Sequence, residues 1–282
     1  MKYIIYILLF FPIWVTAQTY KYIGIEEGLS NRRIFSIQKD AEGYMWFLTN
    51  EGMDRYNGKD IKHYRLNKDD NSLESPIHLG WIYTNPHIGT WVIGKQGRVF
   101  QYERKYDDFK LVYKLPNSLE TISYGYMARN NNIWLCRKHS ILLYNTENAQ
   151  ILQFTNILHS NITAIEQVDD HHFFISTETG VRYLKLENGT LKIIPTETLD
   201  YFHVQVNELY YHQASKRLLI GSFERGLFVY DMNNREIIKP EVDLSDVSIT
   251  CMAPLDESQL LISTEGMGVY KININTCQME QY

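Results

Sequence analysis

Short apolar runs alternate with polar turns along the whole chain at a nearly fixed spacing. The clearest run is Tyr44-Met45-Trp46-Phe47-Leu48-Thr49, followed by Gly52 and then Met53-Asp54-Arg55-Tyr56. The shape returns as Gly89-Thr90-Trp91-Val92-Ile93-Gly94 with Gly97 and Tyr102, and as Asn132-Ile133-Trp134-Leu135-Cys136 with Ser140 to Tyr144. It recurs in Phe173-Phe174-Ile175-Ser176-Thr177, Leu218-Leu219-Ile220-Gly221-Ser222 and Leu260-Leu261-Ile262-Ser263-Thr264. The equivalent positions read as Trp46, Trp91, Trp134, Phe174, Leu219 and Leu260, at steps of 45, 43, 40, 45 and 41 residues. A repeat of this period is the signature of a repeat architecture.

Each of the six units divides into four short strands. Inner strands are predicted at 34–37, 81–84, 124–127, 162–165, 206–209 and 249–252, and fourth strands at 61–64, 109–112, 151–154, 191–194, 236–238 and 278–281. Between them lie turn residues such as Asn57-Gly58, Asn188-Gly189 and Asn233-Asn234, which accept positive φ and bond their own backbone. The second strands are apolar along nearly their full length, so both faces of each sheet must be covered. Stacking four-stranded blades around an axis does this and leaves only short edges. The predicted fold is therefore all-β, a β-propeller of about six four-stranded blades. A β-sandwich is the structural runner-up, but it predicts no such regular repeat. No stretch sustains a period of 3.6, which argues against a helical solenoid. The segment Tyr20-Lys21-Tyr22-Ile23 is strand-like and sits where a closing outer strand is expected.

The first residues alter the picture of where the chain works. Lys2, the uncharged run from Tyr3 to Val15 and the small-residue site Val15-Thr16-Ala17 read as a signal peptide over residues 1–17, leaving 18–282 as the propeller. The run is too short for a spanning helix and carries Pro12. The mature protein is then periplasmic or secreted. A net charge of −5 with pI near 6.0 argues against a nucleic-acid partner. Tyr is abundant, at 21 residues, which suits strands. Cys136, Cys251 and Cys277 form no disulfide framework or metal motif; they read as small buried hydrophobes, with a Cys251–Cys277 bridge as the minor alternative.

No catalytic constellation emerges, and no cofactor or metal is predicted. Gly28-Leu29-Ser30-Asn31 lacks the flanking glycines of a nucleophile elbow and reads as a turn into the first strand. His171-His172 has no partner at metal-ligand spacing. Trp46, Trp91 and Trp134 sit in apolar second strands and read as core between blades. Ligand recognition is better sought in polar loops at one end of a rigid frame. There the candidate ligand-binding residues are Arg32, Arg33, Glu51, His78, Lys95, His139 and Arg225. Trp81, Tyr83, Tyr124 and Tyr126 on the inner strands either reach the central channel or pack.

Unit one is the most specific. Its Gly28-Leu29-Ser30-Asn31, Ile34, Ile37, Asp40, Gly43, Met45-Trp46-Phe47, Thr49, Gly52, Arg55-Tyr56 and Gly58 resemble the two-component-regulator propeller repeat of periplasmic sensor regions in Bacteroidetes hybrid two-component systems. The resemblance covers residues 20–282 and loosens after unit one. It implies seven blades per propeller, hence an incomplete seven-bladed ring as the alternative to a six-bladed one. It also implies a chain truncated before the membrane helix and kinase, so kinase activity is not carried over. The implied function is a ligand-sensing region for a small-molecule or oligosaccharide ligand, in particular a glycan-derived one. In a full-length relative its partners would be downstream sensor domains and a dimer mate. A secreted carbohydrate-active propeller enzyme, which needs two carboxylates across the channel, and a structural or protein-interaction propeller are the competing readings.

Overall fold

The computed structural model describes residues 21–64, 79–116 and 121–282, so the predicted signal peptide and His78 lie outside the described residues. It contains six antiparallel four-stranded meanders, arranged radially as the blades of a propeller. Blade 1 is β1 (Ile34–Lys39), β2 (Met45–Thr49), β3 (Gly52–Tyr56) and β4 (Ile61–Tyr64). Blade 2 is β5 (Leu79–Asn85), β6 (Gly89–Gly94), β7 (Arg98–Glu103) and β8 (Asp108–Lys114). Blade 3 is β9 (Tyr124–Met127), β10 (Asn132–Cys136), β11 (Ser140–Asn145) and β12 (Ile151–Thr155). Blade 4 is β13 (Ile162–Gln167), β14 (His172–Thr177), β15 (Gly180–Glu187) and β16 (Thr190–Ile194). Blade 5 is β17 (Val206–His212), β18 (Arg217–Ser222), β19 (Leu227–Asp231) and β20 (Glu236–Ile238). Blade 6 is β21 (Ile249–Pro254), β22 (Gln259–Thr264), β23 (Gly268–Asn273) and β24 (Met279–Gln281). One turn of helix, α1 (Glu197–Asp200), interrupts the all-β pattern between blades 4 and 5. Four residues are too few for a helical period to show in the sequence.

Successive side chains of a strand point to opposite faces, so each second strand serves two interfaces. Trp46 and Leu48 join Ile82, Val92 and Phe100 of blade 2. Trp91 and Ile93 meet Ile133 and Leu135 of blade 3, and Trp134 and Cys136 meet Phe173 and Ile175 of blade 4. Phe174 packs with Leu218 and Ile220, and Leu219 with Leu260 and Ile262. The three tryptophans are buried core, as the apolar surroundings predict.

This register corrects the repeat alignment in the last unit. Residues paired with the same strand position face the same way. Leu219 pairs with Val229 and Leu261 with Lys271, so the equivalent of Trp46 is Leu261, not Leu260. A slip of one residue exchanges the faces. Leu260 points back into the core with blade 5, whereas Leu261 faces onward and is only half-buried.

Onward from blade 6 the pattern changes. Among the described residues no core cluster joins blade 6 to blade 1, and no hydrogen bond links them. Ile37, on the side of β1 that also carries Phe47, is 50% exposed, and Val269 on β23 is 36% exposed. Among the described residues the ring thus has five sealed interfaces and one open seam. Of the segment expected to supply a closing strand, Tyr20 lies outside the described residues. Residues 21–23 form no strand, and Ile23 and Leu29 instead pack on Phe47 and Tyr56 of blade 1. Lys21 is tied there through the Tyr56 hydroxyl and the Gly58 carbonyl.

That cover explains the signature of unit one. Gly28 turns the chain at φ 107°, Leu29 plugs the blade face, and Ser30 donates through its backbone N–H (2.7 Å) and hydroxyl (2.8 Å) to the buried Asp54. His63 Nδ1 lies 2.7 Å from the other Asp54 oxygen. Asp40 holds the next turn, accepting from the Glu42 and Tyr44 N–H groups and from Trp46 Nε1. Buried carboxylates kept by several donors of this kind fix a turn rather than react. The cysteines are unpaired; Cys136 and Cys277 are buried, but Cys251 is exposed because it lies on the onward side of β21, at the seam.

Candidate functional site

The inner strands place their onward-facing residues around the axis. In β5 these are Trp81 and Tyr83, paired with Ile93 and Trp91; in β9 they are Tyr124 and Tyr126, paired with Cys136 and Trp134. In β13 the corresponding positions are Ala164 and Glu166, paired with Ser176 and Phe174, and in β17 they are Glu208 and Tyr210, paired with Gly221 and Leu219. An aromatic arc from blades 2 and 3 therefore shares the axis with an arc from blades 4 and 5 that carries one glutamate per blade. Trp81 packs edge-on to Tyr124 at 5.6 Å and Tyr83 to Tyr126 at 6.2 Å between ring centres. The Tyr83 hydroxyl donates to the Gly125 carbonyl at 2.7 Å. Gly125 is required for this approach, since a Cβ there would lie 2.8 Å from the Trp81 ring. The sequence left open whether these aromatics reach the channel or pack; they do both.

Tyr83 and Tyr124 both sense the Glu208 charge, although they come from blades 2 and 3. Burial pushes the Glu166 carboxyl up to about 8, with further upward pressure from Glu208. Burial raises Glu208 to about 7. Removal from water disfavours the charged form, so both half-buried carboxyls hold their protons more tightly than a free glutamate does. Arg129, bonded to Gln167 at 2.7 Å through its N–H, is the nearby cation that partly offsets the effect on Glu166.

Above the arcs opens a cavity of about 590 Å³ on the face that carries the second-to-third hairpins. Trp81 and Tyr124 form its apolar side, and Lys95, Asn161, Glu178 and Asn207 supply polar groups. Asn207 is held by a 3.1 Å bond from Nδ2 to the Ile249 carbonyl, and Asn161 by one of 3.2 Å to Glu178. An apolar wall with a few oriented polar groups is the usual build of a small-molecule site.

Of the residues singled out from sequence, Lys95 lines this cavity. Arg32, Arg33, Glu51, His139 and Arg225 are exposed on loops of blades 1, 3 and 5, and the cavity does not gather them. Arg33 instead lies over the Phe35 ring at 5.0 Å. Glu166 and Glu208 were missed. A usable signal was present: a glutamate inside a short apolar strand segment is rarely buried without a reason. His172 is engaged with Asp169 at 2.9 Å, as a turn residue. Among the described residues no group of three or more His, Cys, Asp or Glu is placed to hold a metal, and no helix is long and apolar enough to cross a membrane.

No curated protein matches the chain. The extracellular domain of BT3049 from B. thetaiotaomicron, described as a hybrid two component system, superposes with a TM-score of 0.71 at 20% identity, over 93% of this chain and 36% of that one. The extracellular domain of BT4673 from the same organism, also described as a hybrid two component system, gives 0.68 at 17% identity, over 92% and 34%. A virginiamycin B lyase from Staphylococcus aureus gives 0.62 at 15%, over 87% and 82%. At these identities the likeness shows the fold, and the chain spans about a third of the two extracellular domains. Residues 28–51 match the family described as two component regulator propeller. The likeness carried by Gly28-Leu29-Ser30-Asn31 and Trp46 is thereby shown: blade 1 opens with a two component regulator propeller repeat, set in a six-bladed propeller with the fold of these extracellular domains.

Proposed function

We propose that this propeller is the ligand-sensing region of a periplasmic two-component sensor, and that it recognises a glycan-derived ligand at the mouth of its central channel. The observation that carries the reading is the cavity bounded by Trp81 and Tyr124 on one side and by Lys95, Asn161, Glu178 and Asn207 on the other. Flat aromatic rings suit the apolar face of a sugar ring, and the amide, ammonium and carboxylate groups suit its hydroxyls. The repeat in blade 1 supports the sensor part of the reading. Binding would act by favouring one placement of the propeller relative to further domains, as any ligand does that prefers one of two states.

Calorimetry against a panel of neutral and acidic oligosaccharides tests this. Saturable heat without turnover is expected, weakened about tenfold or more by Trp81→Ala and by Lys95→Ala, each of which removes a contact of roughly 1–2 kcal/mol. Silence across the panel, or unchanged binding in both variants, overturns it. A second reading is favoured by one observation, the two channel carboxyls with raised proton affinity beneath the cavity. A carbohydrate-active enzyme would use such a pair as acid and base. Turnover of any panel member, lost in Glu166→Gln with binding retained, would select that reading instead.

A further inference from the structure

The interface between blades 1 and 2 is closed at its outer end by a charged box. Arg55 lies over the rings of Tyr44, Trp46, Tyr64 and Tyr102 at 4.7–5.5 Å and reaches Asp107 at 3.0 Å. Lys62 approaches Asp107 at 2.5 Å, and the hydroxyls of Tyr102 and Tyr64 donate to it at 2.6 and 2.7 Å. Cation and anion fill the space between the blades.

The interface between blades 4 and 5 has the same frame and a different filling. Phe174 pairs with Tyr183 as Trp46 pairs with Arg55, and Tyr183 pairs with Ile194 as Arg55 pairs with Lys62. Tyr230 pairs with Ile237 as Tyr102 pairs with Phe109, across turns of equal length. Arg235 at φ 57° therefore occupies the place of Asp107 at φ 49°, directly before the fourth strand. The box has lost Arg55, Lys62, Tyr64 and Asp107 and has Tyr183, Ile194, Thr196 and Arg235 in their places. Tyr183 packs against Phe174 at 4.8 Å and stacks on His172 at 5.5 Å between ring centres. What remains between the blades is a cavity of about 360 Å³ whose lining includes Phe174, Tyr183, Ile194, Glu197, Tyr230 and Arg235. The Arg235 guanidinium makes no ion pair among the described residues. Its backbone is pinned by a hydrogen bond from the Thr198 hydroxyl to the Arg235 carbonyl.

We infer that this cavity is a second binding site, separate from the channel, and takes a small ring compound that bears a carboxylate. Phe174, Tyr183 and Tyr230 present an aromatic surface for the ring. Arg235 supplies the cation, in the fork geometry that suits a carboxylate. In charge terms the ligand restores what blades 1 and 2 carry within the chain, with the signs exchanged: there Asp107 receives a cation, here the exposed guanidinium of Arg235 receives an anion. Glu197 sets the orientation by repelling the acid from the α1 side. Acidic sugars and aromatic acids share this chemistry.

Calorimetry with D-glucuronate and benzoate as probes, and D-glucose and benzyl alcohol as their uncharged twins, separates the two sources. At least one acid is expected to bind saturably, with its twin about tenfold weaker or more, the effect of one charge-assisted contact. Arg235→Ala should weaken the acid by a similar factor. The paired exchange Tyr183→Arg with Arg235→Asp restores the arginine–aspartate pair of blades 1 and 2. It should abolish binding while the melting temperature stays at or above that of the parent. No saturable heat with either acid overturns the inference. So does acid binding that survives the paired exchange, or that is lost equally in Trp81→Ala at the channel mouth.

Discussion

The interface between blades 3 and 4 and the seam between blades 6 and 1 are built from the same strand positions, yet one is dry and the other wet. At the first, Trp134 packs on Phe173 at 4.6 Å between ring centres and both are buried. At the second, Leu261 stands where Trp134 stands and is half-buried, and Lys271 takes the place held by Leu143, paired with Glu280 at 2.7 Å. The strands form equally well in both places. Blade geometry is therefore set within each meander by turns and pairing, whereas stability is set between meanders by the onward-facing side chains. In repeat architectures each unit's stability is close to its own term plus the interfaces it shares. Blade 6 shares one, with blade 5, and blade 1 substitutes its N-terminal cover for a second.

Truncation at a sealed interface should have the largest effect. Trp134→Ala is expected to cost about 3–5 kcal/mol, the range for large buried aromatics, read as a loss of melting temperature or denaturant midpoint. A cost below about 1 kcal/mol would mean that the interface between blades 3 and 4 is not packed as described.

The charged box of blades 1 and 2 should come next. Burial works against ionisation of Asp107, but hydrogen bonds from Lys62, Tyr102 and Tyr64 and the Arg55 charge hold its carboxyl well below the usual range. The depressed folded value means that its stabilisation is present above the unfolded value near pH 4 and is lost as the pH falls below that. Asp107→Asn should cost about 1–2 kcal/mol at pH 7, a modest figure because the carboxylate is 41% exposed and screened. The difference between parent and variant should shrink on acidification toward pH 2.

The channel acids act with the opposite sign. Glu166 is raised, so the folded chain retains a proton that the unfolded chain releases, and stability falls as the pH rises from about 4.5 to about 8. Glu166→Gln should raise the melting temperature at pH 8.5 by roughly 2–4 °C, equivalent to about 1 kcal/mol in a chain of this size, and leave it unchanged at pH 4. An unchanged or lower value at pH 8.5 would argue that Glu166 faces open water. The smallest effect belongs to the seam. Leu261→Ala should cost less than about 1 kcal/mol, since its side chain leaves little buried volume behind. A loss as large as that of Trp134→Ala would show that the seam is closed.

Much of the fold was legible because each strand is short, apolar and bounded by turn residues whose chemistry is local. Asp40-Ala41-Glu42-Gly43 and Asn188-Gly189 announce their turns without help from the rest of the molecule. The slip in the last unit has an equally local cause. Leu260-Leu261 is an apolar doublet, and a doublet does not say which leucine faces onward. The site was less legible. Lys95 was found because a polar hairpin tip can be read from one blade, and Trp81 and Tyr124 because inner-strand aromatics stand out. Glu166 and Glu208 belong to two blades and acquire their character only from the burial that the ring imposes. The cavity at blades 4 and 5 is hidden more deeply, since it exists only as a difference between two interfaces that share one frame.

Hydrogen exchange followed by mass spectrometry tests the central claim, a radial stack sealed at five interfaces and open at one. Amides of β10, β14 and β18 should exchange together and slowest, while those of β22 and β23 exchange at least about tenfold faster, because blade 6 opens against a single neighbour. Equal protection of β22 and β14 would contradict the open seam, and fast exchange in β10 or β14 would contradict the stack itself.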